Sequence, residues 1–212
     1  MLTVHHLGNS QSERIVWLCE ELGLPYELAR YNRDATGLAP AAYKALHPLG
    51  TAPIITDGNL ALAESSAVVD YILAKHGAGG LALTPDDSEF ANYLFWLHYA
   101  NGSMLPAIMV ALMFSYSGLT EPNAVANAMM SRLDRAYELS ENRLSEVPYF
   151  GGTRFTAADI MMGYPLTRSR TFLPRDLSPY PGIRAFLKRI GERPAFKRAM
   201  AKGDPGMSPL LT

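Results

Sequence analysis

Cysteine is almost missing from this chain, Cys19 being the only one among 212 residues. A lone cysteine excludes an internal disulfide and a dithiol redox pair, and it fits a reducing compartment. Charge is scarce as well: Asp, Glu, Lys and Arg make up 18% of the residues, against about 25% in an average soluble domain. Part of the surface is therefore expected to be hidden in a subunit contact, most simply that of a homodimer. The 19 Lys and Arg nearly cancel the 20 Asp and Glu, and no basic run stands out. Nothing here attracts the phosphate backbone of a nucleic acid. No apolar run reads as long enough to span a membrane, and residues 1–7 carry neither a basic leader nor a small-residue cleavage site, so the expected location is cytoplasmic.

What is present is a change of period part-way along the chain. Residues 2–7 read as a strand, the polar Gly8-Asn9-Ser10 follows, and Ile15, Val16, Leu18, Cys19 and Leu22 then recur at helical spacing until Gly23 and Pro25. A second strand over residues 26–31 and a short helix over 41–46 come next. Asp57-Gly58 between two apolar runs predicts a tight hairpin, and Glu64-Ser65 opens a helix that stops at His76-Gly77. Strand, helix, strand, helix, hairpin, helix is an α/β order. The Gly-rich residues 77–85 read as a linker. Beyond them every long segment has helical period: 88–115, kinked or broken at Pro106, 122–145, 156–172 with a bend at Pro165, 181–193 and 195–202. Residues 203–212 lack periodicity and read as a mobile tail.

Several residues could carry chemistry. Ser10-Gln11-Ser12-Glu13 has the spacing of a capping box, in which the serine oxygen accepts from the Glu13 N–H, and a hydroxyl used in this way can still donate outward. His5 and His6 alternate across a strand, with no Cys or acidic partner at metal spacing, so no metal site is expected. Cys19 falls on the apolar helix face as a small buried hydrophobe. Thr156 to Asp159 also has capping-box spacing, and Asp159 is assigned to folding rather than catalysis.

Four segments together resemble the cytosolic glutathione transferase family over nearly the whole chain: LGNSQSER at 7–14 leading to ELGLPY at 21–26, HPLGTAPII at 47–55, LAESSA at 62–67 with Tyr71-Ile72, and FTAADI at 155–160. Arg193-Pro194-Ala195 is similar to the family's last helix junction. The resemblance implies an α/β + all-α architecture, with a thioredoxin-like domain over 1–80 and an all-helical domain over 86–212. It also implies glutathione as co-substrate and a thiolate transferred to a hydrophobic electrophile in a context of detoxification or catabolism.

In that reading Ser10 looks like the catalytic serine, with Ser12 second. The cofactor's sulfur, not the serine, is the nucleophile; a thiol titrating near ~8.5 must be held as its anion by a donated hydrogen bond and a helix N-terminus. Pro53 is expected cis, turning the Ala52 backbone toward the peptide backbone of glutathione. Glu64 and Ser65 would take the ammonium and carboxylate of the γ-glutamyl end. For the glycyl carboxylate Lys44, His47 and Arg14 stay open, because Gly50 and Thr51 occupy positions where relatives carry basic or amide side chains. The electrophile is expected between the domains, against residues 88–115, with Tyr99 and Met104 chosen from that helix. Glutathione-dependent peroxide reduction, isomerisation or dehalogenation, and a non-catalytic glutathione-binding role, remain alternatives. Disulfide reduction is disfavoured by the absence of a cysteine at the first helix start.

Overall fold

The computed structural model describes residues 1–77, 80–118 and 124–212. Their contacts divide into two compact units, Met1–Ala82 with Gly191–Pro209, and Leu83–Ile190 with Leu210–Thr212.

The first unit is built on a four-stranded sheet of order β2-β1-β3-β4, from β1 (Leu2–Leu7), β2 (Glu27–Tyr31), β3 (Ile54–Asp57) and β4 (Leu60–Ala63). β1 runs parallel to β2 and antiparallel to β3, which in turn pairs antiparallel with β4. The hairpin falls one residue later than Asp57-Gly58 suggested. Asp57 pairs with Leu60, so Gly58 and Asn59 make the turn, with Gly58 at φ 62°. The apolar face of the sheet is covered by α1 (Glu13–Leu22) and α3 (Ser65–Lys75), which bury Ile15, Val16, Leu18, Val68, Val69 and Ile72 completely. Each such side chain contributes roughly 1.5–3 kcal/mol of burial free energy. A short helix, α2 (Ala41–Lys44), is pinned by Tyr43, buried among Leu7, Ile54 and Ala63, whose hydroxyl donates to the His5 carbonyl.

The last helix, α9 (Pro194–Gly203), packs along α1 in this same unit, although the sequence reading grouped it with the helical domain. Phe196 meets Trp17 edge to face, Arg193 makes a two-pronged pair with Glu21, and Arg198 and Lys202 both reach Glu20. Residues 203–212 are not the loose tail expected. Asp204 is buried and accepts from the Asn9 N–H, while Arg170 of the second unit holds the Leu210 and Thr212 carbonyls.

The second unit contains α4 (Phe90–Tyr99), α5 (Leu105–Tyr116), α6 (Ala124–Glu146), α7 (Ala157–Leu166) and α8 (Pro181–Glu192). The sequence predicted a kink or a break at Pro106 within residues 88–115; the helix is not broken, and a π-helical turn over Ala100–Met104 joins α4 to α5, so that one helix runs from Phe90 to Tyr116. The wider turn takes up the missing N–H and the ring of Pro106. By length and composition this helix could cross a membrane, contrary to the expectation that no run is long enough. Here it is the central helix of its unit, burying Tyr93, Trp96, Leu97, Ala100, Met104 and Ile108 against α7 and α6. The segment read as one helix over 156–172 is α7 followed by a separate 3₁₀ turn at Arg168–Thr171. The expected start of α6 at Pro122 lies outside the described residues.

Asp159 has no exposure, and its carboxylate accepts from the Thr156 N–H at 2.8 Å, the Thr156 hydroxyl at 3.1 Å and the Phe150 N–H at 2.7 Å. It organises the start of α7. Removing it leaves buried donors unmatched at about 1–3 kcal/mol each, so Asp159→Ala is expected to lower stability by about 3 kcal/mol or more in urea unfolding. A second expectation concerns acid. Burial alone would raise the Glu20 carboxyl, but hydrogen bonds from Lys202, Arg198 and Tyr26 outweigh it and hold the group below its ordinary value. A depressed folded-state carboxyl stabilises fully above the unfolded value of about 4.3 and loses that contribution as pH falls. Urea unfolding of Glu20→Gln between neutral pH and about pH 3 should show a flatter acid limb than the parent.

Candidate functional site

Strand register brings the candidate residues to one edge of the sheet. His5 of β1 pairs with Ile54 of β3, and Ile54 pairs with Ala63 of β4, so the end of β1, the start of β3 and the end of β4 lie side by side. The segments leaving that edge are Gly8 to Ser12, Ala52-Pro53 and Glu64-Ser65. The Ala52-Pro53 peptide bond is cis.

The loop after β1 does not form the capping box that its spacing suggested. Helix α1 starts at Glu13, behind Ser12, because the Glu13 N–H donates to the Ser10 carbonyl and not to its side chain. The Ser10 hydroxyl is buried, donates to the Leu7 carbonyl at 2.6 Å, lies 2.8 Å from Ser12 Oγ and accepts from the Ser12 N–H at 3.3 Å. Asn9 takes the left-handed conformation at φ 53°, which asparagine tolerates better than most residues. Its N–H donates to Asp204 Oδ1 at 2.9 Å. From outside, Arg33 clamps the loop by donating to the carbonyls of Gly8 and Asn9, each at 3.0 Å.

Ser65 is the first residue of α3, 2% exposed, and its Oγ lies 3.4 Å from Gln11 Oε1. The same amide oxygen accepts from Arg14 Nη1 at 3.1 Å. Gln11 therefore ties the Ser10 loop to the start of α3. Arg14 is fully buried, which removes it from the residues able to meet a carboxylate at the surface. Glu64 precedes the helix at φ 75° with its side chain exposed; a non-glycine residue in that region is seldom found unless the surroundings hold it there. Lys44 ends α2 exposed, under Gly50 at φ 64°. His47 is half-buried and its Nδ1 accepts from the Leu49 N–H at 3.1 Å, which places the ring hydrogen on Nε2, free to donate to an anion.

Tyr99 belongs to the second unit. Its ring borders a cavity of about 620 Å³ walled by Pro106, Ala107, Val110 and Leu139, with Arg132 and Arg135 also at its lining. Burial pushes the Tyr99 hydroxyl pKa upward. Met104, chosen beside it, does not border this cavity: at the end of the π-helical turn it faces the core and has no exposure. Sequence reasoning missed Gln11, Arg33 and Asp204. Only Gln11 carried a local signal, its place between the two candidate serines.

A sheet of this order preceding a helical unit, with a cis-proline ahead of β3 and a strained residue ahead of α3, is the thioredoxin-like plus helical architecture that the resemblance implied. Comparison with known proteins agrees. The glutathione S-transferase N-terminal domain matches residues 10–75 and the C-terminal domain residues 123–189. The chain is 34% identical to glutathione S-transferase 3 of Schizosaccharomyces pombe, over 95% of this chain and 88% of that one. It superposes on a crystal structure of a glutathione S-transferase from Actinobacillus pleuropneumoniae with a TM-score of 0.88 and 33% identity, covering 97% and 95% of the two chains. It is also 27% identical to a disulfide-bond oxidoreductase of Escherichia coli over 97% of each chain. The chain belongs to the glutathione S-transferase family and is an enzyme of the glutathione transferase type.

Cys19 takes no part in this site. It has no exposure, and burial, with the Glu20 charge second, pushes its thiol up to about 12. The folded protein is expected to resist iodoacetamide at neutral pH, and Cys19→Ala to keep its turnover within about twofold, as befits an inert buried thiol; rapid alkylation of the native protein would contradict this.

Proposed function

We propose that this protein conjugates glutathione to hydrophobic electrophiles, with Ser10 holding the glutathione sulfur as a thiolate. The observation that carries this reading is the Gln11 bridge, because it ties the loop bearing Ser10 to Ser65, the residue assigned to the γ-glutamyl carboxylate. On this reading the helix start at Ser65 takes that carboxylate and Glu64 takes the ammonium. Ala52 lends its backbone beside Pro53 to the tripeptide as an added strand. For the glycyl carboxylate His47, with Nε2–H available, and the exposed Lys44 are the groups of matching charge and reach.

The thiol must lose its proton at neutral pH. Lowering a thiol pKa by about two units corresponds to roughly 2.7 kcal/mol, within what one charge-assisted hydrogen bond plus a helix start supplies. In the free protein the Ser10 hydrogen rests on the Leu7 carbonyl. Swinging it onto sulfur exchanges a neutral acceptor for an anionic one, which binds the hydrogen more strongly. The electrophile is assigned an apolar surface that includes Tyr99.

A homodimer in the cytoplasm with a role in detoxification completes the proposal. The apolar side chains Phe95, Met109, Met113 and Tyr116 stand exposed on α4 and α5, and exposed apolar side chains are what subunit contacts cover. The relationship to a disulfide-bond oxidoreductase favours a second reading, glutathione-dependent disulfide exchange. There the glutathione thiolate, not Cys19, would attack the disulfide, forming one mixed disulfide and releasing the other sulfur as a thiolate.

Ser10→Ala tests the main reading. It is expected to fold, to bind S-methylglutathione as the parent does, and to lower kcat/KM for conjugation to chlorodinitrobenzene by about 10²-fold, as loss of a donor to a developing anion does elsewhere. Full turnover in this variant would move the role to Ser12 or another group. A glutathione-linked disulfide assay on the same preparation decides between the two readings.

A further inference from the structure

Behind Ser10 a line of buried polar atoms runs back to the end of α9. Ser10 Oγ lies 2.8 Å from Ser12 Oγ, Ser12 Oγ lies 2.9 Å from His6 Nδ1, and His6 Nε2 lies 3.3 Å from Asp204 Oδ1. Ser12 and His6 have no exposure, and Ser10 and Asp204 are buried. The His6–Asp204 approach is a close charge contact without the alignment of a hydrogen bond. Gly203 permits it, since a Cβ there would stand 3.3 Å from His6 Nε2. The neighbouring histidine takes no part: His5 faces the other side of the sheet, against Tyr31 and Thr56.

The direction of the hydrogens follows from the charge. A carboxylate beside Nε2 favours the tautomer with its hydrogen there, leaving the Nδ1 lone pair toward Ser12. The Ser12 hydroxyl then donates to Nδ1, and its oxygen accepts from the Leu7 N–H at 3.1 Å. With the Ser12 hydrogen committed, Ser12 Oγ can accept from Ser10 once the Ser10 hydrogen turns away from the Leu7 carbonyl, on which it rests in the free protein. Both hydroxyls can thus point the same way, from Ser10 toward a basic nitrogen.

We propose that His6 holds the proton given up by the glutathione thiol, reached through the hydroxyls of Ser10 and Ser12. This rests on the reading of Ser10 as the thiol's partner. As the S–H bond breaks, its proton bonds to Ser10 Oγ, the Ser10 hydrogen passes to Ser12 Oγ, and the Ser12 hydrogen passes to His6 Nδ1. Each serine ends with one hydrogen, as it began. The sulfur becomes an anion and His6 an imidazolium that Asp204 stabilises. Nothing is oxidised or reduced. His6 touches no substrate atom; it is a positioning residue acting through two hydroxyls, and it lets a thiolate form without a proton leaving the protein.

Proton release separates this from a purely structural role. The full chain is titrated calorimetrically with glutathione at neutral pH in two buffers of different ionisation enthalpy, with thiol-free S-methylglutathione as the reference, while ultraviolet absorbance reports thiolate. The parent protein is expected to form thiolate with no net proton release. His6→Gln and Asp204→Asn are expected either to release one proton per thiolate or to lose the thiolate signal, while still binding S-methylglutathione. Stoichiometric release by the parent would overturn the proposal and leave the glutathione reading standing. Failure of the parent to bind glutathione would overturn both. Should a variant fail to bind S-methylglutathione through misfolding, the parent measurement alone decides.

Discussion

The position of β1 in the centre of its sheet is the constraint on which the rest of the site depends. A central strand is paired on both sides, so its C-terminal end cannot move without breaking ladder bonds to β2 and β3. The Ser10 loop, Ala52-Pro53 and Glu64-Ser65 all adjoin the sheet at that end. Because β2 runs parallel to β1, and β4 returns antiparallel to β3, all four strands reach the edge together: Leu7 beside Tyr31, and Ile54 beside Ala63. Tyr43 then fixes α2 to the same edge by filling the space between Leu7, Ile54 and Ala63. Short loops on a rigid edge hold polar groups more accurately than long loops could, and the site needs that accuracy.

How much of this was legible in the sequence depended on how far apart the interacting residues lie. The strand over residues 2–7, the α/β order and the role of Asp159 were readable, because periodicity and capping act over a few residues. Where two local rules compete, the sequence misled. Ser10 and Ser12 both satisfy the chemistry of a helix start, and the backbone chose Ser12 as the flanking residue because Ser10 bends inward to the Leu7 carbonyl. At Pro106 the proline rule left a kink or a break open, and it could not say that the turn before the proline would widen and keep the apolar face continuous with the core. The contact between His6 and Asp204 could not be read at all. It joins the two ends of the chain through the packing of α9 on α1, and no spacing encodes it.

That packing explains why a C-terminal helix should matter to a site at the N-terminus. Glu20 and Glu21 on α1 face Arg193, Arg198 and Lys202 on and beside α9, while Trp17 and Phe196 make the apolar part of the contact. Partly exposed ion pairs contribute little each, and a network sharing one carboxylate fixes register more than it adds stability. Register is what the site requires from α9. A slip of the helix would carry Asp204 away from both the Asn9 N–H and His6, releasing the loop and the imidazole together.

The burial of Ser10 gives the loop a different meaning from a simple hydroxyl displayed to a ligand. An exposed serine would donate equally well to water, and its contribution to holding an anion would be diluted by solvent exchange. Here the hydroxyl sits among the Leu7 carbonyl, the Ser12 N–H and the Ser12 hydroxyl, so its alternatives are few and fixed. If Ser10 meets the thiolate as proposed, its hydrogen leaves the Leu7 carbonyl for the sulfur side, and low local dielectric strengthens the bond that results. The same low dielectric makes an unbalanced charge costly, which is why a buried anion is best matched by a cation formed within the same network. On the proposed proton path the group that becomes that cation is His6, and the carboxylate that would stabilise it is supplied from the far end of the sequence.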